Sequence, residues 1–234
     1  MHTVDFWFDP VSPYAALAFA RLPQALEGLT VHVRYRPVLF AGLLRHWGQL
    51  GPAEIAPKRD WTYRQVLWQA RELGVPLQMP LRHPFNPLPL LRLALACATP
   101  AGAPLQAGPG ENDTGATDLA WALPNRRVVE AVFDHVWQGG GDAEDPSRLQ
   151  ALADVLAPSR DPAGDEVKGA LRACGEEAIR AGLFGVPSFQ CDGRTFWGLD
   201  ALPMLAQAMR ADPWFEGEGW TGVARVAPGV VRSR

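Results

Sequence analysis

Ser12 sits in the run Phe8-Asp9-Pro10-Val11-Ser12-Pro13-Tyr14, where an aromatic strand pattern ends and an apolar helical stretch begins. Serine at a helix N-cap followed by proline at the first helical position is a strong start signal. The start of a helix leaves backbone N–H groups unpaired and carries partial positive charge, so an anion placed there is stabilised. A hydroxyl at that point can close the helix end as a cap, or it can donate a hydrogen bond to a bound anion; the motif alone leaves both open. The second run with chemistry in it is Phe184-Gly185-Val186-Pro187-Ser188. A cis bond before Pro187 would turn the Val186 N–H and C=O outward, where an extended peptide could pair with them. A trans proline would simply begin an edge strand. Cys97, Cys174 and Cys191 lie far apart and form no Cys-x-x-Cys pair, and the five histidines are equally scattered. Disulfide exchange is therefore excluded, no metal site is expected, and the thiols read as reduced, mostly buried side chains.

The elements that must position these residues follow from the hydrophobic pattern. Residues 3–8 alternate and are aromatic, 12–22 read as a helix, and 30–37 alternate strictly. Strand, helix and strand in so short a span predict a βαβ unit with a parallel pair and a right-handed crossover. From about Ala41 to Cys174 the chain reads as helices broken by Gly and Pro, over 61–73, 88–98, 125–137, 146–156 and 165–181, the last stopped by Gly182. Residues 99–117, rich in Gly, Pro, Ala and Thr, read as an added loop. Residues 187–191 and 194–197 are strands flanking the hairpin turn Asp192-Gly193, and a helix over 200–209 follows. The fold class is α/β, a thioredoxin-like fold with an all-α domain inserted after the second strand. Segments 1–40 and 175–211 form the discontinuous thioredoxin-like domain, 41–174 the insert, and 212–234 a C-terminal extension expected to pack in part on the body through Trp214, Phe215 and Trp220. Trp47, Trp61, Trp68, Trp121 and Trp137 of the insert read chiefly as core, with an aromatic substrate pocket as the other option.

The chain has 234 residues, 47% hydrophobic and 20% charged, with a formal net charge of −3. That is enough for a core without staples. No basic stripe of the kind that grips phosphate backbones is present, so nucleic acid is not an expected partner. The first residues lack a basic segment followed by an apolar one, and no apolar run reaches bilayer length, so a cytoplasmic location and no membrane partner are expected.

In redox-active thioredoxin folds the helix N-terminus holds the first cysteine of a Cys-x-x-Cys pair; the two positions here are Ser12 and Ala15. Four runs, FDPVSPYA, HPFNPLPLLRLAL, FGVPSF and FWGLD, together resemble the 2-hydroxychromene-2-carboxylate isomerase family over residues 3–210. That family is related to kappa-class glutathione transferases and, more distantly, to DsbA-like proteins. The resemblance implies glutathione as cofactor, bound in the thioredoxin-like domain, and a small aromatic carboxylate as substrate, held against the helical insert. It makes Ser12 the catalytic serine beside the glutathione sulfur and gives Val186 and Pro187 the backbone pairing to the tripeptide. Trp197, Gly198, Leu199 and Asp200 then hold the γ-glutamyl end, where a carboxylate suits an ammonium. Tyr14, Lys58, Phe85 and Asn86 take positions lining the substrate side. Lys58 could equally be a solvated surface lysine, and Asn86 could simply cap the helix that follows. The chain departs from the family at Leu199, where a polar residue is common, and in the 99–117 loop and the tail. The implied activity is glutathione-dependent isomerisation of an aromatic 2-hydroxy or 2-oxo acid, and the implied assembly a homodimer. A kappa-like transferase and a redox-inactive binding module are the alternatives.

Overall fold

The structure, a computed structural model, describes residues 1–98, 123–227 and 229. The loop expected over 99–117, Trp121 and the last residues of the extension lie outside the described residues. Strand β1 (His2–Phe8) leads through the Ser12 turn into α1 (Pro13–Ala25) and then β2 (Val31–Pro37), which pairs parallel to β1 with Phe6 opposite Tyr35. Strands β3 (Ser188–Cys191) and β4 (Arg194–Trp197) complete a four-stranded sheet in the order β2-β1-β3-β4, with both later pairings antiparallel. This is the thioredoxin-like sheet that the βαβ and ββα patterns predict.

Between β2 and β3 lie α2 (Phe40–Trp47), α3 (Ala56–Leu73), α4 (Leu88–Ala96), α5 (Arg126–Trp137), α6 (Pro146–Leu156) and α7 (Asp165–Arg180). After β4 come α8 (Leu202–Met209) and the short α9 (Glu218–Thr221). The sequence pattern missed α2, a short helix of eight residues that contains Gly42 and ends at Gly48. It also started α3 five residues late, because Ala56-Pro57-Lys58-Arg59 carries no apolar periodicity to announce a first turn.

Central strand β1 is buried on both faces. Val4, Phe6 and Phe8 face the main core, where Phe6 stacks on Phe189 at 5.2 Å and Phe8 meets Phe133 of α5 at 5.4 Å. Trp7 points the other way, into a cluster with Val38, Leu43, Cys174, Ala178, Leu183 and Val186. The main core runs without a break from the sheet into α4 and α5, so the helices and the strands share one apolar interior. Of the described tryptophans assigned chiefly to core, Trp137 is buried, while Trp47, Trp61 and Trp68 are exposed, the last two at 63% and 58%. Helix α3 explains the difference, since Trp61 and Trp68 are seven residues apart on its outer side while Val66 and Ala70 face inward. Of the C-terminal extension, Phe215 is buried and Trp220 stacks on Phe196 of β4 at 5.8 Å, while Trp214 is half-exposed.

One polar network crosses the sheet. Arg36 is buried, bonds Asp5 on β1 through Nε at 2.7 Å and Glu177 on α7 at 2.8 Å, and lies over the Trp7 ring. Arg34 takes the other side of Asp5 with two bonds of 2.6 and 2.7 Å. The network ties α7, and with it the 183–187 loop that follows, to the strands that carry the Ser12 turn. Removing the cation leaves Asp5 with Arg34 alone and takes the guanidinium from the part-buried Glu177 carboxylate, so Arg36→Met should cost about 1–3 kcal/mol. The check is a urea unfolding curve; a midpoint unchanged from wild type would show that the network contributes nothing net.

Candidate functional site

The Ser12 turn is built by hydrogen bonds that leave specific groups free. Ser12 is the N-cap of α1 in an extended conformation, and its Oγ accepts the Ala15 N–H at 3.2 Å. The same hydroxyl donates toward the Val186 carbonyl at 3.4 Å. Both uses of the serine are thus present at once, as cap and as a contact to the facing loop. Pro13 has no N–H, and the Tyr14 N–H has no partner among the described residues. The helix start therefore retains an unpaired donor next to the buried hydroxyl.

Opposite the turn, the Val186-Pro187 bond is cis, and the Val186 N–H has no partner among the described residues. Ser188 Oγ donates to the Gly185 carbonyl at 2.7 Å, and Gly198 N–H donates to the Pro187 carbonyl at 3.0 Å. The second bond couples the Trp197–Asp200 segment directly to the proline loop. Gly198 has φ +102°, a left-handed backbone that favours glycine, and a Cβ there would strike the Asp200 carboxylate. The half-exposed Trp197 indole lies against Gly185, where a Cβ would displace it, and meets Phe184 at 5.0 Å. Asp200 is exposed and has no cationic partner among the described residues.

The remaining expected residues divide. Tyr14 is half-buried and donates to Gln65 Oε1 at 2.8 Å; burial, then the Asp200 carboxylate, push its hydroxyl above its ordinary value. Tyr14 thus links α1, α3 and the Asp200 segment. Lys58 is exposed in the first turn of α3 with no carboxylate partner among the described residues. Asn86 accepts the Leu88 N–H at 3.2 Å just ahead of α4, whose N-cap residue is Pro87, and remains exposed. Phe85 is buried in the main core. Leu199 is partly buried against both the main core and the small cluster between α1 and α3. A cleft of about 590 Å³ between α1, α3 and α8 reaches Leu199 and Asp200, with Arg21, Trp68, Gln69 and Arg210 further along its walls; Ser12 and Val186 do not line it.

Two residues around the turn escaped the sequence reading. His83 places Nε2 2.7 Å from the Val11 carbonyl and Nδ1 2.7 Å from the Tyr63 hydroxyl. The carbonyl can only accept, so Nε2 carries the proton and Nδ1 accepts from Tyr63; burial lowers the His83 pKa, in keeping with a neutral ring. His83 opens the run HPFNPLPLLRLAL, but nothing in one sequence ties it to residue 11. Asp9 is fully buried; its two oxygens accept the Val11 N–H at 3.0 Å and the Phe40 N–H at 2.8 Å. Desolvation raises its pKa to about 7, against the pull of those two amides. In sequence it read only as the residue ending a strand.

Residues 3–210 match the profile of the DsbA-like thioredoxin domain. A 2-hydroxychromene-2-carboxylate isomerase of Sphingobium xenophagum is 27% identical over 213 residues, covering 87% of this chain and 95% of its own. A glutathione S-transferase kappa 2 of Caenorhabditis elegans is 29% identical over 231 residues, covering 90% and 92%. The solved structure of a 2-hydroxychromene-2-carboxylate isomerase superposes with a TM-score of 0.69 at 22% identity, over 92% of this chain and 97% of that one, which shows a shared fold. With the strand order, the Ser12 helix start and the facing proline loop, these likenesses make the chain a member of the DsbA-like thioredoxin-domain family, with 2-hydroxychromene-2-carboxylate isomerases and kappa-class glutathione transferases among its relatives.

Proposed function

We propose that the protein is a glutathione-dependent isomerase acting on a small aromatic 2-hydroxy or 2-oxo acid. The observation that carries this reading is the Ser12 hydroxyl, buried between the start of α1 and the Val186 loop, with the nearby Tyr14 and Val186 N–H groups lacking a partner among the described residues. The free groups suit the tripeptide. Val186 offers an amide to its cysteinyl backbone, as an added strand would use. Asp200 offers an exposed carboxylate to the γ-glutamyl ammonium, and Lys58 an exposed ammonium to a carboxylate of tripeptide or substrate, neither having an ion-pair partner among the described residues. Bound glutathione supplies a sulfur nucleophile that can add reversibly to a conjugated carbon of the substrate. The protein's own part is to hold that sulfur as an anion with the helix start and the Ser12 hydroxyl, and to orient the substrate against it.

Isothermal titration with glutathione tests the cofactor site. Binding in the micromolar to millimolar range is expected, weakened on the order of tenfold or more in Asp200→Ala, since a charge-assisted contact is lost. Equal affinities for variant and wild type would remove Asp200 from the site. A kappa-like transferase is the second reading, favoured by the 29% identity to a kappa 2 relative. Product analysis separates the two: a stable thioether marks conjugation, and a rearranged acid with glutathione returned marks isomerisation. Absence of glutathione binding, with peptide binding at the Val186 edge retained, would instead make the protein a redox-inactive binding module.

A further inference from the structure

The fold brings the beginning of the chain beside the β3–β4 hairpin. Asp5 pairs with Gln190 in the antiparallel β1–β3 ladder, so His2, three residues before Asp5, runs alongside the Cys191-Asp192 corner. At that corner Asp192 has φ +49°, a left-handed conformation more open to Asp than to most residues. His2 Nδ1 lies 3.1 Å from Asp192 Oδ2, and Cys191 Sγ lies 3.4 Å from the same oxygen. All three ligand atoms fall within 4.8 Å of one another. A tetrahedral zinc ion, bound at about 2.0 Å to nitrogen and oxygen and about 2.3 Å to sulfur, separates its ligand atoms by roughly 3.3–3.6 Å. Two of the three separations already fall close to that range.

We propose that His2 Nδ1, Cys191 Sγ and Asp192 Oδ2 form a zinc site, with water as fourth ligand, that clips the start of β1 to the hairpin. The donor set fits the metal: imidazole nitrogen, thiolate sulfur and carboxylate oxygen are the ligands of zinc rather than of calcium or magnesium. Cys191 is buried and Asp192 exposed, so an ion would sit at the protein–solvent boundary, where a water can complete its shell. The Asp192 and Asp5 carboxylates give the Cys191 corner a negative field that favours a cation, and Arg194 opposes it. Coordination proceeds by loss of the Cys191 proton to solvent, formation of the Zn–S bond, and replacement of the His2–Asp192 and Cys191–Asp192 hydrogen bonds by metal bonds. The site was invisible in sequence because its ligands lie at residues 2, 191 and 192, in no metal-binding spacing.

The test is calorimetric titration of the untagged full chain with zinc chloride, in two buffers of different ionisation enthalpy. The expected result is one ion per chain at micromolar affinity or tighter, release of about one proton, and a raised Tm. His2→Gln and Asp192→Asn should each weaken binding by about tenfold or more, Cys191→Ser should abolish it, and Cys174→Ser should leave it unchanged. Cobalt in place of zinc should give a thiolate-to-metal charge-transfer band that Cys191→Ser removes. Absence of binding at about 100 μM zinc, or undiminished binding in His2→Gln, a surface change that the fold will tolerate, would overturn the proposal and leave a plain hydrogen-bonded cluster. Zinc binding should be the same in Ser12→Ala, so the result is independent of the glutathione reading.

Discussion

Ser12→Ala should lower turnover of the thiol-dependent reaction on the order of tens- to a thousandfold, the range seen when one donor to a developing anion is removed. The hydroxyl lies between α1 and the Val186 carbonyl, so a sulfur held at the Val186 edge comes within its reach. The same substitution removes an N-cap and should cost about 1 kcal/mol of stability. The two effects are separated by a control. Asn125 caps α5 through a comparable bond to the Val128 N–H at 3.1 Å, far from the Ser12 turn in the chain. Asn125→Ala should cost similar stability without the loss of turnover, and Ser12→Thr, which keeps a hydroxyl, should recover part of it. Glutathione bound to Ser12→Ala should also titrate at higher pH, readable from thiolate absorbance. Turnover within about twofold of wild type would confine Ser12 to its capping role.

Asp9→Asn should abolish a fall in stability that the wild-type protein shows as pH rises. Burial lifts the folded-state pKa of Asp9 from 3.8 to about 7. A raised folded-state pKa means that the folded protein holds the proton more tightly than the unfolded chain. The contribution is therefore fully present below about 4 and is lost as pH rises through about 7. The displacement sets an upper limit of roughly 4 kcal/mol, which relaxation around the carboxyl will reduce. Asparagine keeps an oxygen for one of the two amides and carries no charge, so the stability difference between variant and wild type should move in the variant's favour between pH 4 and 8. Urea unfolding at several pH values measures it; parallel profiles for the two proteins would show that Asp9 does not titrate in this window. Because Asp9 joins the Val11 and Phe40 amides, its ionisation also bears on the turn that presents Ser12.

The layout of strands and helices is legible in local patterns of the chain. Alternation in residues 3–8 and 30–37, the Ser-Pro helix start and the Asp-Gly turn are local signals, and each became the strand, helix or hairpin it implied. These patterns are legible because they reflect side-chain periodicity and backbone preferences that act over a few residues. The lack of a Cys-x-x-Cys pair, with Ser12 and Ala15 in its place, is likewise plain from the chain itself. The tertiary structure decided which side of each helix is inside. Trp61 and Trp68 look like core in composition and lie on the outer side of α3, because α3 has too few apolar positions to bury both sides. It also decided the surroundings of the candidate site. His83 meets Val11, Asp9 meets Phe40, and Gly198 meets Pro187, contacts between residues 72, 31 and 11 apart in the chain. Such pairings depend on how the sheet and helices close on one another, and no spacing within one sequence encodes them.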